Sequence, residues 1–194
     1  MDYIPRLQSL EKWIESKIAA FGPICKDTLV ETYDPARIKY KKCGSFLVLL
    51  YIPNCVNNNE KRVNIIDSRF AKFRAERAWC VGIYDTHALK ESNICTNSTY
   101  LLKTAIYKLG TWTFAHAFNT DVNMVCASGI HYFNHWLPAY FWNVPGLSFY
   151  HDGSIDKNEL TTTDNILSDQ FKLQPFKRDV FVKSNQDIKI AKKY

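Results

Sequence analysis

Residues 45–52 read Ser45-Phe46-Leu47-Val48-Leu49-Leu50-Tyr51-Ile52 and are closed by Pro53-Asn54. The run is strand-sized and apolar at nearly every position, so it reads as a strand buried on both faces. The same signature recurs at Ala78–Tyr84. Thr111–Phe118 alternates instead, with Trp112, Phe114, His116 and Phe118 on one side and Thr111, Thr113, Ala115 and Ala117 on the other. That pattern predicts a strand with one bulky aromatic face. Val63–Ile66, Tyr100–Leu109 and Val125–Phe133 complete the expected strands, and residues 86–99 read as a polar loop. Strands separated by turns rather than helices imply a mainly antiparallel sheet, not a doubly wound parallel one.

Helices are expected at two places. Leu7, Leu10, Trp13, Ile14, Ile18 and Phe21 recur at three- and four-residue steps, the stripe of an amphipathic helix over 6–21 that Gly22-Pro23 stops. Asn134 is placed to cap a short helix running to Trp142, with Pro138 in its first turn. The fold class is therefore α+β. It divides into an N-terminal helical arm (1–38), a core domain (39–150) and an extended basic tail (151–194).

Among 194 residues, 46% are apolar and 14% aromatic, enough to bury one substantial core. No apolar run approaches the roughly 18 residues that cross a bilayer. Asp2, Glu11 and Glu15 interrupt any secretory leader, so folding in a reducing compartment is expected. The cysteines, Cys25, Cys43, Cys55, Cys80, Cys95 and Cys126, are scattered without a C-x-x-C pair, which disfavours a metal site or a disulfide framework. The net charge of +6 is uneven: residues 172–194 carry seven basic residues against two acids. No phosphate-binding or dinucleotide glycine loop, metalloprotease helix or serine-nucleophile elbow is present.

Three candidate sites emerge from the residues. His131, with His135 four residues on, is the catalytic candidate, weighed against a buried histidine satisfied by a backbone carbonyl. Cys126 and His131 suggest a nucleophile and base, but five residues apart in one strand they point to opposite faces. Arg69, Lys72, Arg74 and Arg77, interleaved with Phe70, Phe73 and Trp79, suit single-stranded nucleic acid, weighed against a solvated face over aromatic core residues. The partner-binding candidates lie on the terminal segments: Leu7, Leu10 and Trp13 on the helix, and Phe171, Phe176, Lys177, Arg178 and Phe181 in the tail.

Several motifs occur in order: Tyr40-Lys41-Lys42-Cys43; Leu50-Tyr51-Ile52-Pro53; Lys72-Phe73-Arg74-Ala75-Glu76-Arg77-Ala78-Trp79-Cys80-Val81; Ile106-Tyr107-Lys108-Leu109-Gly110; and Phe118-Asn119-Thr120-Asp121, leading to Cys126-Ala127-Ser128-Gly129-Ile130-His131-Tyr132-Phe133. The series, over about residues 39–142, resembles an uncharacterised domain of large DNA viruses of algae and amoebae that often accompanies pentapeptide repeats. Its specific piece is the last motif, with Cys126, Gly129, His131 and Phe133. Phe73 stands where that family often has cysteine, and Tyr132 where it has phenylalanine. The resemblance implies a viral origin and a shared fold, and no activity. The expected function is a non-enzymatic structural or assembly protein, a minor capsid component that binds capsid proteins through its terminal arms. No cofactor or metal is expected. The protein would locate to the virion, and to the host cytoplasm during assembly. A nucleic-acid partner is the less favoured alternative, as is an enzyme centred on His131.

Overall fold

The computed structural model describes residues 3–29, 32–98, 104–142 and 151–153. Among these residues twelve elements follow in chain order. Helix α1 (Tyr3–Leu29) and a short 3-10 turn (Pro35–Arg37) precede strands β1 (Ile38–Cys43) and β2 (Phe46–Tyr51). Next come β3 (Lys72–Ala75), β4 (Arg77–Asp85), β5 (Lys90–Glu91), β6 (Ile94–Ser98) and β7 (Thr104–Lys108). Strands β8 (Trp112–Phe114) and β9 (Ile130–Phe133) and helix α2 (Trp136–Tyr140) complete the set. The expected α+β class with a mainly antiparallel sheet is what the chain adopts, the sheet curving as a half-barrel. Its order is β3-β9-β1-β2-β4-β5, with β8 also paired to β4, and β6-β7 form a separate hairpin.

Strand β2 lies between β1 and β4, and each of its faces is covered by something different. Leu47, Leu49 and Tyr51 share a face with Tyr40 and Lys42 by register. Helix α1 packs there: Trp13 lies 4.9 Å from Tyr84 and Phe21 lies 5.2 Å from Tyr51. Helix α2 meets the same face at Lys42, whose Nζ donates to Tyr140 O at 2.6 Å. On the other face Val48, Leu50 and Ile52 join Cys43, Phe73, Cys80, Ile130 and Tyr132 in the core, closed by Cys95 and Tyr107 from the β6-β7 hairpin. Burying a side chain such as Leu50 contributes about 2 kcal/mol, and Leu47–Ile52 are all fully buried. A bulge between Leu49 and Leu50 leaves Val81 of β4 without a partner. It also brings Gly82 under Trp13, where a Cβ would sit 3.1 Å from the indole.

The structure corrects several expectations. Helix α1 does not stop at Gly22-Pro23 but runs to Leu29. Tyr33 packs within 3.3 Å of a Cβ position on Gly22 and its hydroxyl donates to Ile18 O, so tertiary contact carries the helix past a local breaker. Residues 86–99 are not simply loop: β5 and β6 lie there, and in β6 apolar Ile94 faces solvent while polar Asn97 is half-buried, which hides the alternation. Val63–Ile66 is irregular rather than a strand, with Val63 exposed. The strand expected over Thr111–Phe118 ends at Phe114, and that over Val125–Phe133 begins only at Ile130. Asn134 is not the cap of α2. His135 is, its Nδ1 accepting from Leu137 N at 3.2 Å. Asn134 instead bridges Lys39 and Ser68 O.

Candidate thiol-bearing loop and its supports

Strand β3 alternates. Phe73 and Ala75 enter the core, while Arg74 lies opposite His131 of β9. Arg74 has no exposed surface, and among the described residues no carboxylate pairs with it directly; Asp121 acts on it only as a nearby charge. Its guanidinium donates instead to four backbone carbonyls: Nε to Met124 O at 2.7 Å, NH1 to Asn119 O and to Ser128 O (3.4 Å), and NH2 to Asp121 O. Phe118 covers it from 5.1 Å. Asn59, itself buried, clamps the strand by accepting from Arg74 N and donating its own N–H to Arg74 O. A buried guanidinium that forms no direct ion pair must saturate its donors, and here it does so by organising the loop 119–128. That loop is what displaces the strand expected to begin at Val125.

Gly129, His131 and Phe133 of the Cys126–Phe133 motif each have a structural task. Gly129 has φ +148° and comes so close that a Cβ would sit 3.1 Å from Arg74 Cβ and 3.3 Å from Ala75 O. Phe133 packs at a tilt against Trp142, ring centres 5.1 Å apart. His131 Nε2 lies 3.2 Å from Val125 O, so its Nε2–H donates to that carbonyl. Burial, with Lys72 and Lys41 adding to it, lowers the His131 pKa to about 3, and the ring is neutral. Cys126 does not meet His131. It is exposed, and its Sγ lies 3.4 Å from Nε2 of His151, a residue the sequence reading left in the tail.

His151 is held by its backbone. Its carbonyl accepts from the Arg62 guanidinium and from Lys72 N at 3.1 Å. The adjoining Asp152 O accepts from Ile66 N and Asp67 N at 2.9 and 3.2 Å. Gly153 closes the segment at φ +90°, where a Cβ would fall 2.1 Å from Asp67 O. The His151 ring packs 5.6 Å from Trp142, and Lys72 Nζ lies 4.7 Å over the same indole. Burial first, then Lys72 and Arg62, lower the His151 pKa to about 4. Burial likewise lowers Lys72 to about 8.

In the basic cluster expected to suit nucleic acid, Arg74 is buried, Lys72 and Arg77 are half-buried and Arg69 is exposed. Arg69 is paired bidentately with Asp67, Arg74 is consumed by carbonyls, Lys72 sits on Trp142, and Arg77 stacks 5.0 Å from Trp112. Leu7, Leu10 and Trp13, expected to bind a partner, are buried in the chain's own core. Phe171, Phe176, Lys177, Arg178 and Phe181 lie outside the described residues. Among the described residues no group of three or more His, Cys, Asp or Glu is placed to hold a metal.

A feature the sequence did not suggest is the surface these loops present. Val63 is 85% exposed, Met124 49% and Val122 37%. The two loops are tied, Val63 N donating to Asn123 Oδ1 at 3.4 Å. Behind them Glu60 forms a hub. Its carboxylate meets Arg37 at 2.8 Å and Lys39 at 3.0 Å, and accepts from Tyr132 OH at 2.9 Å.

The model of a family of unknown function (DUF5758) matches residues 27–139, more than half of the chain. No curated protein matches the chain. No solved structure matches it either.

Proposed function

We propose, on the premise that the chain belongs to this family of unknown function (DUF5758), that it is a non-enzymatic assembly component of a large DNA virus. Its role would be that of a minor capsid protein docking on neighbouring capsid proteins. The contact face is the paired loops 61–66 and 118–126, not the N-terminal helix, whose apolar stripe is spent on the sheet. The observation that carries this reading is the Arg74 bracing. Four carbonyls held by one buried guanidinium fix a loop that turns Val122 and Met124 outward beside Val63. Exposed apolar side chains on a pre-ordered loop lose little conformational entropy on binding, which favours association. The viral setting is supported by the ordered motifs of residues 39–142.

The test is a paired substitution, Val63→Asp with Met124→Asp. Both side chains face solvent, so the thermal midpoint should hold while incorporation into gradient-purified particles falls by tenfold or more, about 1.4 kcal/mol. Normal incorporation of the paired variant would overturn the assignment of the face. Absence of the unaltered chain from particles would overturn the assembly role.

A further inference from the structure

We propose that Cys43 and Cys95 are an oxidisable pair, which a small disulfide converts into an internal Cys43–Cys95 disulfide that fastens the β6-β7 hairpin to the main sheet. The site goes beyond the assembly role and does not rest on it. Cys43 ends β1, Cys95 lies in β6, and the two strands pack against one another. Both side chains belong to one core, Cys43 with no exposed surface and Cys95 with 4%. Their sulfurs are in hydrogen-bond contact, the Cys95 thiol donating to Cys43. A thiol–thiol hydrogen bond holds two cysteines in the range from which a disulfide closes with little backbone movement.

A third thiol, Cys80, lies in the same core but is bonded to the Gly82 backbone instead, and burial pushes it up to about 12. The hydrogen bond from Cys95, with Lys41 adding to it, holds the Cys43 thiol below its ordinary range in spite of burial. The same bond, together with burial, raises Cys95. Lys41 is fixed beside the pair: its Nζ donates to His131 O at 3.0 Å and lies 5.9 Å over the Tyr107 ring. Cys43 is therefore the sulfur that carries the thiolate.

Access comes through the hairpin, which is a sheet of its own. Its ends are tied to β4, Ser92 N donating to Ile83 O and Gly110 N to Cys80 O, both at 2.9 Å. Between those ends Cys95 and Tyr107, paired across the hairpin, turn into the core, and Thr113 Oγ1 donates to Ile106 O at 3.0 Å. A two-stranded sheet seated mainly by side-chain packing opens more readily than the whole domain unfolds. Opening uncovers both sulfurs. The Cys43 thiolate then attacks one sulfur of the small disulfide. A mixed disulfide forms at Cys43, the reagent's S–S bond breaks, and its other half leaves as a thiolate that takes the proton Cys43 gave up. As the hairpin recloses, the Cys95 sulfur attacks Cys43. The internal S–S bond forms, the mixed one breaks, and the second half leaves with the proton of Cys95. Both protein sulfurs are oxidised and both reagent sulfurs reduced.

The experiment places the full reduced chain in buffers of reduced and oxidised glutathione. Free thiols are alkylated, and mass spectrometry of unreduced digests maps which cysteines are joined. At one buffer composition the Cys43–Cys95 link should exceed glutathione on exposed Cys55 on the order of tenfold. The oxidised chain should melt about 5–10 °C higher than the reduced one. Amides of β6 and β7 should exchange on the order of tenfold more slowly once the link is made. Cys95→Ala should leave only glutathione on Cys43; should that variant not fold, the map of the unaltered chain decides. A link to Cys80 in place of the proposed one, or Cys43 and Cys95 left unjoined while Cys55 is modified, would overturn the proposal. A link that leaves exchange in the hairpin unchanged would overturn the fastening. Incorporation into particles is read separately, so neither result touches the assembly role.

Discussion

Replacing Arg74 with methionine keeps the bulk of the side chain and removes every donor that holds the loop 119–128. Four carbonyls, those of Asn119, Asp121, Met124 and Ser128, lose their partner. Hydrogen bonds to a charged group are worth about 1.5–3 kcal/mol each, and a simple sum would reach about 6–12 kcal/mol. That sum overshoots, because Asp121, Met124 and Ser128 are exposed and water can replace the guanidinium once the loop lifts. Methionine also spares the desolvation of a buried charge. The expected loss is therefore about 3–5 kcal/mol, the range for breaking one side of a buried charged network. Arg74→Lys should fall between, at about 2 kcal/mol, since an ammonium cannot reach four carbonyls from one fixed fork. Urea unfolding gives the global figure. Hydrogen exchange at the amides of Asn119, Asp121, Asn123 and Met124, each bonded within the loop, gives the local one. A loss under about 1 kcal/mol, with exchange in the loop unchanged, would refute the view that Arg74 organises it.

Three other perturbations have clear signs. Gly153→Ala places a methyl against the Asp67 carbonyl at a positive φ. It should cost about 2–4 kcal/mol and release His151, read as loss of the His151–Cys126 proximity by nuclear Overhauser contacts. Burial pushes the Glu60 carboxyl up, but Lys39 and Arg37 and the hydrogen bonds of Lys39 and Tyr132 outweigh it and hold the group below the ordinary carboxylate range. Its stabilisation is full above the unfolded value of about 4.3 and is lost as pH falls through the lowered folded value. Glu60→Gln should accordingly cost about 3 kcal/mol at neutral pH and flatten the acid limb of the stability curve, measured by urea midpoints from pH 7 downward. Trp13→Ala should cost about 3–5 kcal/mol and raise protease cleavage within α1, because the indole is the contact that seats the helix over Gly82.

Strands β2 and β4 were legible because burial on both faces leaves an unbroken apolar run, and α1 because its stripe keeps helical spacing. The β6-β7 hairpin was half legible: Tyr107 and Cys95 point inward, but Ile94, Thr96 and Lys108 face solvent and blur the alternation. Arg74 illustrates a deeper limit. Lys72-Phe73-Arg74-Ala75 alternates like a half-exposed strand, and the partners that bury Arg74 are carbonyls, which leave no mark on a sequence. The same holds for His151, fixed through its backbone carbonyl by Arg62 and Lys72 across long stretches of chain. A local signal did exist there. Asp152-Gly153 is a turn dipeptide, and a glycine at that place in a polar stretch hints at a required positive φ. The neutral His131 on a backbone carbonyl corresponds to the plainer of the two readings its surroundings offered.

The assembly role is tested most directly at Met124, since the chain contains only Met1 and Met124 and the oxidation signal is easily assigned. Hydroxyl-radical footprinting of the isolated chain and of gradient-purified particles would compare the extent of sulfoxide at that residue. The account predicts ready oxidation of Met124 in isolation and protection on the order of tenfold or more in the particle, as expected of a side chain taken from water into an interface. Equal oxidation in both would contradict it, because the braced loop would then face solvent wherever the protein is found.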